Sequence, residues 1–242
     1  MDETATAVKK HGKLRVFLIA VLIILLAVAA AAGFVIYKAT KPLNDGRFTA
    51  EATVDFKQSF MRAMLVGGET EFTNDDFNSM LAYSADKKRE KAKAEGKSEK
   101  VTLTELEFKP DGRSKLYARS FYGPFTLDVI ADIDISLDKE NNVVKFKFTD
   151  AVVGDFHVSP QTIIEKYKAS LESEEDEKDA DFMKFTDTSI TFPATYSYEV
   201  FGKTLDFGFE DITVGDGKMT VNAKKPLGDW GEIVYSFLFN DK

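Results

Sequence analysis

The stretch PFTLDVIADIDISLD, residues 124–138, alternates apolar and polar side chains from Phe125 onward. Every odd position from Phe125 to Leu137 is apolar, and the even positions are polar except for Ile130. A period of two residues is typical of a strand with one buried face. Most strands have about 5–6 residues, so the pattern predicts a strand more than twice as long, about 45 Å at about 3.3 Å per residue. This length fits a sheet that wraps something elongated, either a lipid or the protein's own helices.

Other alternating segments predict a sheet around this strand. The turn sequence KENN, residues 139–142, predicts an antiparallel hairpin with the strand that follows it. Across the exposed face of this hairpin we expect Lys145 and Lys147 to face Asp128, Asp132 and Asp134. The predicted strands are 48–56, 101–108, 115–121, 124–138, 143–149, 189–200, 203–214, 218–224 and 232–240, and the ambiguous segment 59–65 is also read as a strand.

Two segments predict amphipathic helices. In 72–91, Thr73 is the expected N-cap, with Asp76 three residues later and an apolar pair of Phe72 and Phe77 bracketing the cap. In 158–173, Ser159 is the expected N-cap and is followed by a proline suited to the first helical position. With the strands, these helices define an α+β class, in which a curved antiparallel sheet of long strands packs on two amphipathic helices after an N-terminal transmembrane helix.

The predicted transmembrane helix is residues 16–37, which are 22 consecutive residues without a charge. As a helix they would measure about 33 Å at about 1.5 Å per residue, enough to cross a bilayer core. Lys9, Lys10, Lys13 and Arg15 precede them, so the positive-inside rule places the N-terminus in the cytoplasm. A cleaved signal peptide is the alternative, because the run AVAAAA offers small residues. The apolar run continues beyond those alanines through GFVIY, which favours a retained anchor.

This interpretation divides the chain into four parts. Residues 1–15 are a cytoplasmic tail, 16–37 the transmembrane helix, 38–47 a tether, and 48–242 an extracytoplasmic α+β domain. The expected location is therefore the cell membrane, crossed once. Residues 42–242 carry 26 Lys and Arg against 38 Asp and Glu, a net charge of −12, which argues against nucleic acid as a partner.

The expected extracytoplasmic domain, called the outer domain below, contains few residues suited to catalysis. The chain has no cysteine, and His157 is the one histidine beyond the apolar segment. Asp132-Ile-Asp134 resembles the Asp-x-Asp of metal-dependent glycosyltransferases, but its place in an alternating strand favours solvated charges. The acidic run 172–181 could hold calcium only loosely, because it lacks the spacing of an EF-hand loop. We therefore expect no enzyme, no catalytic residue, no cofactor and no bound metal.

Two short motifs resemble the YpmS-like family of uncharacterised, single-pass envelope proteins. FTNDDFNSML, residues 72–81, matches that family's T-x-x-[DE]-[LF]-N-x-[LM]-[LI] helix start, and VVGDFHVSPQTII, residues 152–164, is similar to its Gly–apolar–Pro entry to the second helix. The family itself resembles tubular and LmeA-like lipid-binding domains. The resemblance implies an extracytoplasmic domain that holds a lipid or another long apolar ligand, and it supplies no catalytic residues.

The favoured hypothesis is a membrane-anchored, non-catalytic module with an apolar groove between the sheet and the helices. The alternative is an envelope scaffold that fills its own core and binds a protein partner. The residues expected to line the groove are Phe77, Met80, Leu81, Phe125, Leu127, Val129, Ile133, Phe146, Phe148, Ile163, Ile164, Tyr167 and Leu171.

Overall fold

A computed structural model describes residues 26–27, 29–53, 55–173, 183–200 and 203–239. In this part of the chain no helix combines the length and apolar character required to cross a membrane. Half of the predicted transmembrane helix, residues 16–25 and 28, lies outside it. The described residues of that segment, 26–27 and 29–37, are helical, and the helix continues to residue 39. Four large apolar side chains near its end are exposed: Phe34, Val35, Ile36 and Tyr37.

In chain order the elements are α1 (29–39), α2 (Asp55–Val66), β1 (Gly68–Thr73), α3 (Asn74–Ala94), β2 (Leu103–Phe108), β3 (Arg113–Tyr122), β4 (Phe125–Asp138), β5 (Val143–Val153), β6 (Phe156–His157), α4 (Pro160–Ser173), β7 (Lys184–Phe185), β8 (Ser189–Pro193), β9 (Thr195–Val200), β10 (Lys203–Gly215), β11 (Lys218–Ala223), a 3₁₀ turn (Gly228–Trp230) and α5 (Gly231–Phe239).

The larger sheet has seven strands, all paired antiparallel, with the order β2-β3-β4-β5-β8-β7 and β6 added beside β5. The predicted long strand is confirmed, because β4 runs for 14 residues. It forms the predicted hairpin with β5, in which Asp134 lies opposite Lys147. The predicted class is confirmed at this level: the described chain is α+β with a large antiparallel sheet.

The smaller sheet has the order β1-β11-β10-β9 and is also antiparallel. Its apolar face, which includes Phe72, Phe209 and Val221, packs on α2 and α3. Ile212 and Met219 of this sheet also contact the apolar cluster of the larger sheet, so the two clusters form a continuous core.

The prediction of a single strand over 189–200 is wrong, because the chain changes sheets at Ala194. Ala194 is fully buried, and its N–H donates to the carbonyl of Asn142 while its carbonyl accepts from Phe209. A Cβ at Gly208 would lie 2.1 Å from the Ala194 oxygen, so the close crossing requires glycine at 208. The crossing divides the apolar row of 189–200 between the two sheets.

The predicted helix starts are confirmed. The Thr73 hydroxyl accepts from the Asp76 N–H at 3.2 Å, and the Asp76 carboxylate accepts from the Thr73 N–H at 2.7 Å, which is a capping box. The rings of Phe72 and Phe77 lie 6.0 Å apart across this cap. At α4 the Ser159 hydroxyl accepts from the Thr162 N–H at 3.3 Å.

Three further strand predictions are wrong. Residues 48–53 have no regular structure, and 59–65 belong to helix α2, which buries Phe56 and Ala63 on one side. Residues 231–239 form helix α5 instead of a strand, and α5 packs on α2. Gly231 makes this contact possible, because a Cβ there would lie 2.6 Å from the Leu65 carbonyl oxygen.

Candidate functional site

Most residues predicted to line the groove lie together in the core between the larger sheet and the helices. Within this cluster Ile133, Phe148 and Ile164 are more than nine-tenths buried. Helix α3 packs on β2 and helix α4 packs on β5, so β3 and β4 lie between the two helices. The predicted residues in or against the cluster are Phe77, Leu81, Ile133, Phe146, Phe148, Ile163 and Ile164, and Met80 packs in the adjoining cluster with Phe72 and Val221.

The apolar row of β4 changes from buried to exposed along the strand. Ala131, Ile133 and Ile135 are at most 8% exposed, whereas Leu127 and Val129 are half-buried and Phe125 is 43% exposed. On β3, Ala118 pairs with Val129 and Ser120 pairs with Leu127. Both β3 side chains are small, so they cover little of their apolar partners. The row is therefore closed in the middle of the sheet and open at the β3–β4 hairpin.

The two remaining predicted residues lie on α4. The Tyr167 ring is 42% exposed and lies 6.2 Å from the Phe185 ring, at the edge of the sheet. The Leu171 side chain lies outside the described residues.

The opposite face of β4 holds a buried ion pair. Asp128, 2% exposed, accepts from Arg119 at 2.7 and 2.8 Å and from the N–H groups of Leu43 and Asn44, both at 3.0 Å. Burial would raise the pKa of Asp128, but these hydrogen bonds outweigh it and the pKa is lowered. The prediction that Asp128 is a surface charge facing Lys145 and Lys147 is wrong, because residues 43 and 44 cover it.

The next residues of the tether lie over β2 and β3. Arg47 donates to Glu105 at 2.7 Å and to Glu107 at 3.0 Å, and its guanidinium lies 3.9 Å from the centre of the Tyr117 ring. The Tyr117 hydroxyl donates to Glu107 at 2.8 Å. Burial and this bond raise the pKa of Tyr117 to about 12. For Glu107, burial acts in the raising direction, but Lys109, Tyr117 and Arg47 lower its pKa to about 2.

The end of α1 is fixed to the β5–β6 turn. The Lys38 carbonyl accepts from the Asp155 N–H at 3.0 Å, and Lys41 pairs with the Asp155 carboxylate at 2.7 Å. A Cβ at Gly154 would lie 2.1 Å from the Lys38 oxygen, so this approach requires glycine. Residues 38–48 are therefore bound along the sheet, whereas the sequence predicted only a tether over 38–47.

The remaining polar candidates are surface groups. Asp132 pairs with Lys115 of β3 at 2.6 Å, and His157 lies 3.5 Å from Asp150, with both side chains exposed. In the described ranges no three His, Asp or Glu side chains come together as a metal site. Most of the acidic run 172–181 lies outside those ranges.

An open pocket of about 400 Å³ lies at the β2–β3 turn. Its charges are compensated, because Arg113 pairs with Asp111, Lys115 with Asp132, and Lys109 with Glu107. No surplus charge remains there to attract an ion.

The sequence did not point to the Arg119–Asp128 pair, Asn44 or Gly154. Asp128 sits in the polar half of an alternating strand, and its partners on the tether lie 84 and 85 residues away. A signal was present for the Gly154 turn, because Val-Gly-Asp at 153–155 interrupts an apolar run before a capped helix. In comparisons with protein-family models, curated proteins and solved structures, nothing matches this chain.

Proposed function

We propose that this protein is a membrane-anchored, extracytoplasmic module that binds a lipid or another long apolar ligand and does no chemistry on it. The observation that carries the proposal is the β4 row, which is buried at Ile133 and becomes exposed towards Phe125. The row opens at the end of the sheet where residues 38–41 contact Gly154 and Asp155. The anchor is residues 16–37, and a curved sheet around the helices would enclose the ligand.

The proposed site is the open half of the row, Phe125, Leu127 and Val129, on the face of the larger sheet that packs on α3 and α4. The buried members of the predicted lining, such as Ile133 and Phe148, belong to the packed core next to this site. Removing apolar surface from water gains about 0.8 kcal/mol per CH₂ group, so several methylenes of one acyl chain would be enough for binding without a charged contact.

The test is the lipid content of the full-length chain after extraction from its membrane in mild detergent. Val129→Trp fills the open half of the row, and Ser136→Trp makes the same replacement at an exposed position on the other face of β4. We expect bound lipid in the wild-type chain and in Ser136→Trp by native mass spectrometry, and at least a tenfold loss in Val129→Trp. Equal lipid in both variants, or none in the wild type, would contradict the proposal.

A scaffold is the second candidate, and one observation favours it. Trp230, at the end of the 3₁₀ turn, is 68% exposed, and Ile233, in the first turn of α5, is 59% exposed. Large exposed apolar side chains in one place are typical of protein–protein contacts. This candidate predicts a lipid-free chain, and a crosslinked envelope protein that is lost in Trp230→Ser but kept in Phe125→Ser.

A further inference from the structure

Apolar side chains are exposed at one end of the larger sheet. Val129 of β4 pairs with Val153 of β5, one residue before the turn at Gly154 that contacts the end of α1. From Val129, β4 continues four residues further to Phe125, about 13 Å at about 3.3 Å per residue. The β3–β4 hairpin therefore extends past the turn that binds α1.

The end of this hairpin and the neighbouring β6 expose aromatic rings. Phe125 is 43% exposed, and Phe156, which pairs with Val153, is 37% exposed. Gly123, with φ of +57° and open space around it, forms the tight turn between the strands. Exposed single apolar residues are common, but these two lie at the end of the sheet where the Asp155 N–H binds the carbonyl of Lys38, the residue that follows the exposed Phe34–Tyr37 of α1.

Lysines accompany these rings. The Lys100 ammonium donates to the Gly123 carbonyl at 3.2 Å and lies 5.9 Å from the centre of the Phe121 ring. Lys38 lies 5.2 Å from the centre of the Phe34 ring. Aromatic rings with lysines beside them are the composition that proteins place at the level of lipid headgroups. The outer domain is acidic overall, so contact with a membrane has to come from such local groups rather than from net charge.

We propose that the β3–β4 hairpin end, Phe121–Phe125, and Phe156 touch the lipid surface of the bilayer that contains residues 16–37. This inference rests on the proposed function and adds where the ligand enters. Phe125 begins the apolar row that continues through Leu127 and Val129, so an acyl chain leaving the bilayer there meets apolar side chains at once. The lipid surface is the chosen occupant because α1, whose exposed apolar side chains continue the predicted anchor, is bound at the same end.

The experiment uses the full-length chain reconstituted into phosphatidylcholine–phosphatidylglycerol vesicles whose acyl chains carry bromine, which quenches tryptophan fluorescence at short range. In a Trp230→Phe background, which removes the native tryptophan, three variants are compared: Phe125→Trp, Phe156→Trp and Glu140→Trp. Glu140 is an exposed residue of the β4–β5 turn, at the other end of β4.

We expect at least threefold stronger quenching by brominated lipid for Phe125→Trp and Phe156→Trp than for Glu140→Trp. Equal, weak quenching in all three would overturn the inference. Shielding of the two aromatic positions from both brominated lipid and aqueous acrylamide would also overturn it, because a protein would then be the occupant. Two separate positions keep the test valid if one replacement prevents folding.

Failure of the proposed function gives a different result. If the two positions are quenched but the wild-type chain carries no lipid after extraction, the membrane contact stands and ligand binding fails. If lipid is carried but neither position is quenched, ligand binding stands and the entry point at the hairpin fails.

Discussion

Arg119 and Asp128 form a two-point ion pair on the face of the sheet opposite the main core, with Nε–Oδ1 at 2.7 Å and Nη2–Oδ2 at 2.8 Å. The same carboxylate accepts the N–H groups of Leu43 and Asn44. Asn44 completes the arrangement by donating its side-chain amide to the Ala118 carbonyl at 2.9 Å. One buried carboxylate thus joins two strands of the sheet to the segment that follows α1.

Replacing that carboxylate should release the segment. Asp128→Asn leaves Arg119 without its charge partner and puts an amide N–H against the N–H groups of Leu43 and Asn44. Breaking a buried ion pair at one partner costs about 3–5 kcal/mol. We expect a loss of about 3 kcal/mol in the free energy of unfolding by urea, and faster amide exchange at Leu43 and Asn44.

Asp132→Asn is the matched control, since it removes a carboxylate from the same strand that has one partly exposed lysine partner. Exposed pairs contribute about 0–1 kcal/mol, so its cost should stay below about 1 kcal/mol. Equal losses in the two variants would mean that the carboxylate of Asp128 does not hold the segment.

Acid should weaken the attachment of the tether through Glu107. The folded pKa of Glu107, about 2, is below the ordinary 4.5. Its contribution to the free energy of unfolding is therefore complete above about pH 4.5 and is lost as pH falls towards 2. A shift of this size corresponds to at most about 3 kcal/mol. Urea unfolding measured between pH 5 and 2.5 should show a smaller pH slope for Glu107→Gln than for the wild type. An unchanged slope would argue against the Glu107 contacts.

Alkali should act on the same cluster through Tyr117. The folded pKa of Tyr117, about 12, is above the ordinary 10. The stabilisation of the folded chain by the neutral hydroxyl is therefore complete below about pH 10 and is lost as pH rises through 12. We expect absorbance titration to show a tyrosine that ionises well above the ordinary pH of 10, and Glu107→Gln to lower the midpoint of that ionisation. A midpoint that does not move in the variant would exclude the Glu107 hydrogen bond as a cause.

Two glycines with the same backbone angle allow a test of the α1 contact. Gly154 and Gly123 both have φ of +57°, but only a Cβ at Gly154 meets the Lys38 carbonyl, at 2.1 Å, whereas Gly123 has open space. Both alanine variants carry the left-handed backbone cost of about 1–2 kcal/mol. Gly154→Ala should therefore lose more of the free energy of unfolding by urea than Gly123→Ala. Limited proteolysis should cut near residues 38–41 in Gly154→Ala alone. Equal losses would show that backbone strain explains both variants.

Asn78 is expected to hold helix α3 on the edge strand β2. Its side-chain carbonyl accepts from the Leu106 N–H at 2.8 Å and its amide donates to the Leu106 carbonyl at 3.0 Å, as a neighbouring strand would. Asn78→Leu leaves both backbone groups unpaired and should cost about 2–6 kcal/mol, at about 1–3 kcal/mol for each group. Thermal unfolding should show this loss, whereas Asn141→Ala in the exposed β4–β5 turn should change little. A small effect of Asn78→Leu would mean that water reaches Leu106.

The sequence predicted the elements whose signals are local. The length of β4 follows from one uninterrupted alternation, and the start of α3 follows from Thr73, Asp76 and the phenylalanines around them. Helix α2 was also readable, because Phe56, Phe60 and Ala63 are spaced four and three residues apart, but Phe56 also fits the alternation of 48–56. Choosing between two periods that share a residue requires knowledge of what each face meets.

The features that were not predicted depend on contacts between distant parts of the chain. EIVYSFLF has the β-branched and aromatic composition of a strand, yet it forms α5 because Gly231 allows a close approach to α2. Asp128 has the period of a solvent-facing residue and does lie on the face away from the core. The alternation of β4 carries no information about residues 43 and 44, which cover Asp128 on that face of the sheet. The candidate site was likewise predicted as a set of apolar residues, but not which of them fill the core.

The attachment of residues 38–48 also limits where the domain can be. A free tether of this length would let a domain move away from the bilayer, rotate and reach a second membrane. The hydrogen bonds at Leu43 and Asn44 and the contact at Gly154 hold this segment along the sheet. With residues 16–37 as the proposed anchor, the domain would therefore keep a constant height and orientation above the bilayer. Exchange of a ligand would then occur by lateral diffusion within that one leaflet, and delivery elsewhere would need a separate carrier.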